Sequence, residues 1–379
     1  MTNVPVKLLS CDTHLEHWAT VLNDYVPSKY HYLFEQAPYK IKIHGHTPCY
    51  GADGVEVNTL GGHRRFWEVR KGTLDTKTQK IPGAYGGPKE YTEWMEIGGI
   101  TAAVVLPGGP TGSTIGMARG ALDREGYLEV LRGYNNFASD FAAANPEVLH
   151  GAACIPTTGV DDAIAEMRRV RKLPGIRTVA PAAFPNGSGT PLPEDDRFYL
   201  EALELAMPVT MHGGWSSPIG GCKTDLDVAA WIIGHVEVVT GGPYTVTQLI
   251  LSGVLDRIPK LRFIVQEAGA GWLPFSMDIM DHFYDRQRFW AGLVDLKNPP
   301  SWYCTSGNFL WNIICDRTAV KMRDLIGVDN LSWSSDFPHG NTEWPESRAR
   351  ALQLLADCTA EERHQILWAN AAKFYGLEG

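Results

Sequence analysis

Short runs rich in β-branched and apolar residues recur along the chain and alternate with stretches whose apolar residues stand three or four apart. The first pattern is typical of buried strands and the second of amphipathic helices. We predict strands at 6–14, 100–107, 149–156, 175–183, 207–214, 261–269, 301–307 and 330–337. Eight strands that alternate with helices indicate a parallel sheet, and eight is the number that closes a (β/α)8 barrel.

The helical pattern is clearest at 125–144, 161–172 and 195–206, and residues 360–377 form a last helix. The stretches 224–257 and 271–290 are each long enough to hold more than one helix. A doubly wound open sheet is the competing fold, but no G-x-G-x-x-G fingerprint follows the first strand. We therefore predict an α/β fold, a TIM-type (β/α)8 barrel, formed as a single domain by residues 1–379.

One connection is much longer than the others. Residues 15–99 separate the first two strands, whereas such loops usually have ~2–6 residues. Its middle, 44–69, is rich in glycine and irregular in pattern, so we predict a lid over the site or an interface arm. The Gly-rich segment 107–114, after the second strand, lacks the lysine of a phosphate-binding loop and is expected to be a flexible loop at the barrel mouth.

Composition narrows the choice of partner and compartment. The net charge is −9, with no block of Lys or Arg, which disfavours nucleic acid and anionic membrane. No apolar run approaches the ~20 residues of a membrane span, and the first residues do not resemble a signal peptide. The seven cysteines are scattered and include no C-x-x-C pair, which indicates reduced thiols in a cytoplasmic protein.

Ligand-type residues stand at the carboxyl ends of four predicted strands, where a (β/α)8 barrel carries its chemistry. Strand one ends in Asp12 and His14, which face the same side because alternate strand residues do. The fifth strand ends in His212, the sixth in Glu267 and the eighth in Asp336. Together they predict one divalent metal site with nitrogen and oxygen ligands, suited to Zn²⁺ first and Mn²⁺ second.

Each of these residues has an ordinary interpretation when it is taken alone. A histidine near a strand end is often a core residue, and an aspartate after a strand is often a helix N-cap. Asp336 lies too far before the helix expected near Pro345 to cap it well. Four separate strands that each deliver a ligand to one face favour the metal site. His339 is either a catalytic or substrate-contacting residue or simply part of a turn.

Several aromatic and basic residues are candidates to hold a substrate. Trp215, Trp272, Trp311 and Trp344 each follow a predicted strand end and would line a pocket for a flat molecule, unless they pack in the core. Arg64 and Arg119 could bind a substrate carboxylate, or could be surface charges only.

The segments "CDTH", "VTMHGGW", "VQEAGAGWLPF", "WSSDFPHGNTEWPESR" and "NAAKFYGL" resemble the amidohydrolase-related branch that includes aminocarboxymuconate-semialdehyde decarboxylase and γ-resorcylate decarboxylase. The resemblance implies a (β/α)8 barrel with one divalent metal held by the first-strand pair, His212 and Asp336. It also implies a homodimer with the first-strand insertion partly at the interface.

Two positions depart from that family pattern. The first-strand pair is often H-x-H or E-x-H, but here it is Asp12 and His14; the sixth strand tends to end in histidine, but here it ends in Glu267. No lysine ends the fourth strand, so a two-metal site with a carbamylated lysine is not expected.

Three functions follow from these residues. The first is metal-dependent, non-oxidative decarboxylation of a small cyclic or aromatic carboxylate, with Asp336 passing a proton to the ring carbon. The second is hydrolysis of an amide, lactone or related bond by a metal-activated water, which the extra carboxylate of Glu267 favours. The third is a barrel that binds a ligand without turnover.

Overall fold

A computed structural model describes residues 6–15, 17, 19–35, 87–215, 242–339 and 341–377. Eight parallel strands form one sheet whose spatial order equals their order along the chain. They are β1 Leu9–Leu15, β2 Ala102–Pro107, β3 Leu149–Ile155, β4 Ile176–Pro181, β5 Val209–His212, β6 Phe263–Gln266, β7 Phe309–Ile313 and β8 Leu331–Trp333. Just beyond β8, Phe337 bridges to Thr13 of β1, which brings the two edges of the sheet together. The TIM-type (β/α)8 fold is confirmed.

Helices follow the strands as the sequence pattern predicts. The α-helices are α1 Tyr32–Glu35, α2 Pro88–Gly98, α3 Gly109–Ala121, α4 Arg124–Ala143, α5 Val160–Val170, α6 Asp196–Glu204, α7 242–251, α8 Val254–Arg257, α9 Leu273–Ala291, α10 Pro300–Thr305, α11 Arg317–Lys321, α12 Arg323–Ile326, α13 Ser347–Leu354, α14 Ala360–His364 and α15 Asn370–Tyr375. Short 3₁₀ turns cover Ala19–Asp24, Ser28–Tyr30, Pro193–Asp195 and Val328–Asn330, and a π turn at Gln365–Ala369 joins the last two helices.

Side-chain caps explain where some helices begin. Asp123 accepts a hydrogen bond from the Gly126 amide at 2.8 Å and starts α4. At α14, Thr359 and Glu362 form a reciprocal capping box. Both arrangements satisfy amides that have no partner within the first helical turn.

The prediction for the seventh strand is wrong. Residues 300–305 form α10, and the strand lies at Phe309–Ile313 instead. Trp, Tyr and Thr favour strands in general, but Pro300 at the start of the segment fits the first turn of a helix. The shift moves Trp311 from beyond a strand end to the middle of β7.

The expected flexible loop at 107–114 is also wrong, because α3 begins at Gly109 and contains most of it. Within the long first connection, 19–35 and 87–99 contain 3₁₀ turns, α1 and α2. Its glycine-rich middle, together with Arg64, lies outside the described residues, as does the first part of the predicted helical stretch 224–257.

The last helix closes the amino-terminal end of the barrel. Ala371, Ala372, Phe374 and Tyr375 share one buried cluster with residues of β1, β2, β3, β6 and β7. Strands from opposite sides of the barrel can meet only in its interior. Lys7 and Arg262, which precede β1 and β6, lie over the rings of Trp368 and Phe374. These contacts place the helix at the floor of the barrel, opposite the mouth.

Two further features concern the described helices and the cysteines. None of the described helices is long and apolar enough to cross a membrane. The cysteines in the described part of the chain are free thiols, as their scattered spacing predicts: Cys11, Cys154, Cys304, Cys315 and Cys358.

Candidate metal centre

The two ends of the sheet meet at the barrel mouth and bring Asp12, His14 and Asp336 together. The amide of Asp336 donates to the Asp12 carbonyl at 3.0 Å, and the amide of His14 donates to the Phe337 carbonyl at 2.7 Å. Asp336 has a φ of 49°, in the left-handed region that aspartate tolerates better than most residues. This backbone conformation and the two hydrogen bonds fix where the Asp336 side chain leaves the chain.

Imidazole and carboxylate groups approach closely in this corner. His14 Nε2 lies 3.1 Å from Asp12 Oδ1 and 3.3 Å from Asp336 Oδ1. From β5, His212 Nε2 lies 3.6 Å from Asp12 Oδ2. Among the described residues, two groups have ligand atoms close enough to share an ion: Asp12, His14, His212 and His14, Asp336, His339.

Several polar atoms of this cluster are buried and accept or donate no hydrogen bond within the described structure. They are both carboxylate oxygens of Asp12, Nε2 of His14, Nε2 of His212 and Oδ2 of Asp336. Buried polar atoms are normally paired, because an unpaired one costs ~1–3 kcal/mol. Nitrogen and oxygen atoms that converge without partners fit a divalent cation such as Zn²⁺ or Mn²⁺.

The orientation of His14 is fixed by its other ring nitrogen. Nδ1 lies 3.0 Å from the carbonyl oxygen of Pro107, at the end of β2. A carbonyl can only accept, so Nδ1 carries a proton, and Nε2 is the ring nitrogen left to bind either a second proton or an ion. Metal-binding histidines commonly have such a partner behind them.

The charges of the cluster favour an added positive charge. Burial and the neighbouring His339 lower the pKa of His14, but the carboxylates of Asp12 and Asp336 outweigh both and raise it to about 10. Burial acts to raise the pKa of Asp336, yet the imidazoles of His339 and His14 hold it well below its ordinary value. The carboxylates therefore stabilise a cation, whether a proton or a metal ion, between them.

Glu267 lies directly after β6 and, like Asp12, approaches Nε2 of His212. Its Oε2 is 3.2 Å from His212 Nε2, and its φ of 52° is unusual for a glutamate. Burial and the nearby charge of Asp336 raise the pKa of the Glu267 carboxyl. The structure thus brings the sixth-strand carboxylate to the cluster, as the strand-end pattern predicts.

His339 is positioned by the turn after Asp336. Its Nδ1 lies 3.0 Å from Asp336 Oδ1, and its ring stacks on that of His14 with centroids 3.9 Å apart. Its side chain is 23 % exposed, whereas that of Asp336 is fully buried. His339 therefore contacts the buried carboxylate of Asp336 and is itself partly exposed to solvent.

The predicted tryptophan ring at the mouth does not form as expected. Trp311 is fully buried within β7, and its Nε1 donates to the Cys304 carbonyl. Trp215 packs edge-on against Phe184 and Phe263, and Trp344 is buried in the core. Trp272 is partly exposed and donates to the carbonyls of Ala268 and Gly269 in the loop after Glu267. Of the four, Trp272 is the one that is partly exposed.

Arg119 is exposed in the last turn of α3. Its guanidinium donates to Thr157 Oγ1 at 3.3 Å and lies over the ring of Tyr127. These contacts tie α3 to the loop after β3, which favours the interpretation of Arg119 as a surface charge.

A buried network beneath the cluster was not predicted. Gln266, which precedes Glu267, donates through Nε2 to the Cys11 carbonyl and to Tyr375 Oη at 3.2 Å. One tyrosine of the last helix thus contacts the strand that precedes Glu267 and, through Gln266, the strand that carries Asp12. The sequence contained only the short motif "NAAKFYGL", which gives no sign that its tyrosine reaches into the barrel.

Solved structures with a similar fold cover almost the whole chain. The 5-carboxyvanillate decarboxylase of Sphingomonas paucimobilis has a TM-score of 0.67 at 15% identity, over 98% of this chain and 99% of that one. A dihydroxybenzoic acid decarboxylase of a Polaromonas species, with bound manganese and the inhibitor 2-nitroresorcinol, has a TM-score of 0.61 at 17% identity, over 99% and 98%. The 2,6-dihydroxybenzoate decarboxylase of Rhizobium has a TM-score of 0.61 at 18% identity, over 99% and 100%.

These identities establish the fold alone. Among proteins with curated descriptions, none matches the chain at a significant level. The amidohydrolase family model, in contrast, matches residues 43–377. That match includes His212, Glu267 and Asp336 and spans most of the sequence, and the chain therefore belongs to the amidohydrolase family.

Proposed function

We propose that this protein is a metal-dependent, non-oxidative decarboxylase of a small cyclic or aromatic carboxylate. Asp12, His14, His212 and Asp336 would hold one divalent ion. The observation that carries the proposal is the set of unpaired buried nitrogen and oxygen atoms that these four residues direct at one another. Such an arrangement is costly without a cation and favourable with one.

The similar structures support the same reaction class. Three of them are described as decarboxylases of hydroxylated or methoxylated benzoates, and one holds manganese. A donor set of two imidazoles and two carboxylates suits Mn²⁺ as well as the Zn²⁺ expected first from the sequence.

In such a reaction, the ion and the residues around it would have different roles. A bound divalent ion would supply Lewis-acid stabilisation of the negative charge that develops as the carboxylate leaves. The bond from the ring carbon to the carboxylate breaks, carbon dioxide departs, and a proton takes its place on the ring carbon. Asp336 is the buried carboxylate placed to pass that proton to the ring carbon. Because its pKa is held well below the ordinary range, it must first take the proton up, and the partly exposed His339, 3.0 Å from it, is the neighbouring group that can supply it.

Glu267 supports hydrolysis of an amide, lactone or related bond as the second candidate. Its carboxylate lies 3.2 Å from the nitrogen that His212 directs at the cluster. At ~4 Å and an effective dielectric of ~20, a charged Glu267 would repel a substrate carboxylate by about 4 kcal/mol. A neutral substrate attacked by water avoids this cost, whereas a carboxylate substrate requires Glu267 to be protonated or paired.

Other assignments accompany the proposal. The sequence candidates for substrate binding were Trp215, Trp272, Trp311, Arg64 and Arg119. The described geometry supports Trp272 best among them. We propose a single-domain chain whose 15–99 segment is a lid or interface arm, acting as a homodimer in the cytoplasm.

The test begins with the ion. Protein purified without chelators should contain about one Zn²⁺ or Mn²⁺ per chain, and less than half an equivalent after metal supplementation during expression would contradict the site. The loaded protein is then given a panel of hydroxybenzoates and, separately, a panel of lactones, esters and amides. Carbon dioxide release supports decarboxylation, and hydrolysis alone supports the second candidate. Binding without turnover in either panel would overturn both in favour of a non-catalytic barrel.

A further inference from the structure

Residues 267–272, which join β6 to α9, form a turn whose backbone polar groups are bound by side chains. We call this segment the β6–α9 turn. It contains two residues with left-handed backbone, Glu267 with a φ of 52° and Gly269 with a φ of 62°. At its far end, the Nε1 of Trp272 donates to the carbonyls of Ala268 at 2.9 Å and Gly269 at 3.1 Å. Two carbonyl groups of the turn are thus satisfied by its own last residue.

Two amide groups of the same turn are satisfied from outside it, by Asp316. This residue lies between β7 and α11, and its Oδ2 accepts hydrogen bonds from the amides of Ala270 and Gly271, both at 2.7 Å. Its other oxygen, Oδ1, accepts from the amide of Ala319 at 3.0 Å and caps α11. One carboxylate therefore uses both oxygens, one for the turn after β6 and one for the helix after β7.

The turn approaches Asp316 so closely that only glycine fits at two of its positions. A Cβ atom on Gly271 would lie 2.7 Å from Asp316 Oδ1 and 2.8 Å from the Cβ of Thr318. A Cβ atom on Gly269 would lie 3.0 Å from Asp316 Oδ2. Glycine is the residue that permits such an approach, because it has no side chain. A methyl group at position 271 would therefore push the turn and Asp316 apart.

The turn determines where the Glu267 carboxylate lies. β6 ends at Gln266, so Glu267 is the first residue beyond the strand, and its left-handed backbone costs free energy that the surrounding structure must offset. From this backbone, Oε2 of Glu267 reaches to 3.2 Å from Nε2 of His212. A turn that is free to relax would carry the carboxylate away from the imidazole.

We propose that Asp316 is a positioning residue, which holds the β6–α9 turn in the conformation that places the Glu267 carboxylate against His212. Its carboxylate binds the turn and α11, so it acts on the metal-centre residues through Glu267. The inference rests on the proposed function and deepens it, because Glu267 is the residue on which the choice between decarboxylation and hydrolysis depends there.

Asp316→Ser tests whether this residue holds the turn. Serine is still a good helix cap, so α11 keeps its start, but its single hydroxyl is too short to bind the turn as well. Hydrogen exchange of the peptide that contains Ala270 and Gly271 should become at least ~10-fold faster, because both amides lose their acceptor. Gly271→Ala pushes the turn away while Asp316 stays in place, and it should have the same effect.

Asp123→Ser is the matched control. Asp123 caps α4 with one carboxylate oxygen, as Asp316 caps α11, but α4 follows β2, four strands away from β6 in the sheet. The control should therefore leave exchange in the β6–α9 turn unchanged. Equally fast exchange in the control and in Asp316→Ser would show a general loosening and contradict the proposal.

A cycle of variants tests whether the effect reaches His212 through Glu267. In full-length protein labelled with ¹⁵N-histidine, the His212 ring signal is assigned by its loss in His212→Ala. It should shift in Asp316→Ser, because the carboxylate beside Nε2 moves away. In the Glu267→Ala background, which has no carboxylate to move, Asp316→Ser should cause no further shift. Residues that act through one shared contact are non-additive in this way.

Both measurements use the full-length protein as purified and require neither turnover nor a bound ion. A protein that neither releases carbon dioxide nor hydrolyses a substrate would refute the proposed function and leave this inference standing. Unchanged exchange in both Asp316→Ser and Gly271→Ala would overturn the inference. So would a His212 signal that does not move, or one that moves equally with and without Glu267, since Asp316 would then stabilise the turn alone or act by another route. Circular dichroism confirms that each variant is folded.

Discussion

The two sides of the candidate metal centre differ in how firmly they are held. On the side of β1 and β8, the side chains of Asp12, His14 and Asp336 are at most 2 % exposed, and backbone hydrogen bonds join the two segments. On the side of β5 and β6, His212 is 31 % and Glu267 12 % exposed. The first side has the character of a fixed anchor, while the second side opens toward the mouth.

This difference suggests a division of roles. A ligand set that is rigid on one side and accessible on the other can hold an ion while leaving room for a substrate. We expect substitutions on the β1–β8 side to affect the ion and the proton transfer, and substitutions on the β5–β6 side to affect the choice of substrate. The variants below test this division, from the largest expected effect to the smallest.

Asp336→Asn should lower turnover ~100- to 10,000-fold, the usual contribution of a general acid or base. Asparagine has nearly the same shape and can still offer a carbonyl oxygen to the ion, but it cannot deliver a proton. Turnover should therefore fall while metal content and melting temperature stay close to those of the unmodified protein. A variant that keeps a tenth of the rate would show that Asp336 does not transfer the proton.

His14→Ala should weaken metal binding more than His212→Ala does. Residues that only hydrogen-bond a metal ligand change affinity by ~10- to 100-fold, and loss of a buried ligand should exceed this range. His212 is partly exposed, so water can replace its nitrogen more readily than that of His14. Chelator competition with both variants measures the difference, and circular dichroism checks the fold. Equal losses would remove the distinction between the anchor and the open side.

Glu267→Gln separates the two candidate reactions on the open side. It removes a negative charge, keeps the shape, and should lower KM for an anionic substrate by ~10-fold or more if the protein is a decarboxylase. If Glu267 orients an attacking water, kcat should fall instead while KM changes little. Normal kinetics with a lower melting temperature would make Glu267 a structural residue and contradict both alternatives.

Tyr375→Phe should have the smallest effect, a loss of metal affinity of up to ~10-fold. The phenol hydroxyl accepts a hydrogen bond from Gln266, the residue that precedes Glu267. Tyr199→Phe is a matched control, because that hydroxyl is buried and makes no hydrogen bond to any described residue. An equal change in metal affinity in both variants would reduce the role of Tyr375 to general packing.

The sequence was most informative about the strand ends. Asp12, His14, His212, Glu267 and Asp336 could be placed at one mouth because parallel strands in a barrel deliver their last residues to the same face. The predictions that were wrong concern positions where local preferences compete, or where packing between residues far apart in the sequence decides the structure. The segment after Pro300 has strand-favouring residues but forms α10. The strand therefore lies further along the chain than predicted, and Trp311 lies within it, in the core.

Other features could not be predicted from the sequence pattern. The left-handed backbone at Glu267 and Asp336 depends on neighbours that the barrel supplies. The contact between Tyr375 and Gln266 joins residues 109 positions apart, and no periodicity links them. Sequence pattern alone therefore predicted which residues meet, but not what holds them there.

The closure of the barrel has a consequence for how the protein is made. Ser10 and Ser335, which hydrogen-bond at 3.0 Å beside the candidate metal centre, are 325 residues apart. A ribosome adds ~5–20 residues per second, so β1 must wait many seconds for its partner. Tyr375 emerges later still. During that interval the side chains of Asp12 and His14 on the first strand are not buried by the rest of the barrel. We expect ion capture to be among the last events in the maturation of each chain, and nascent chains that end before Asp336 to retain no tightly bound metal.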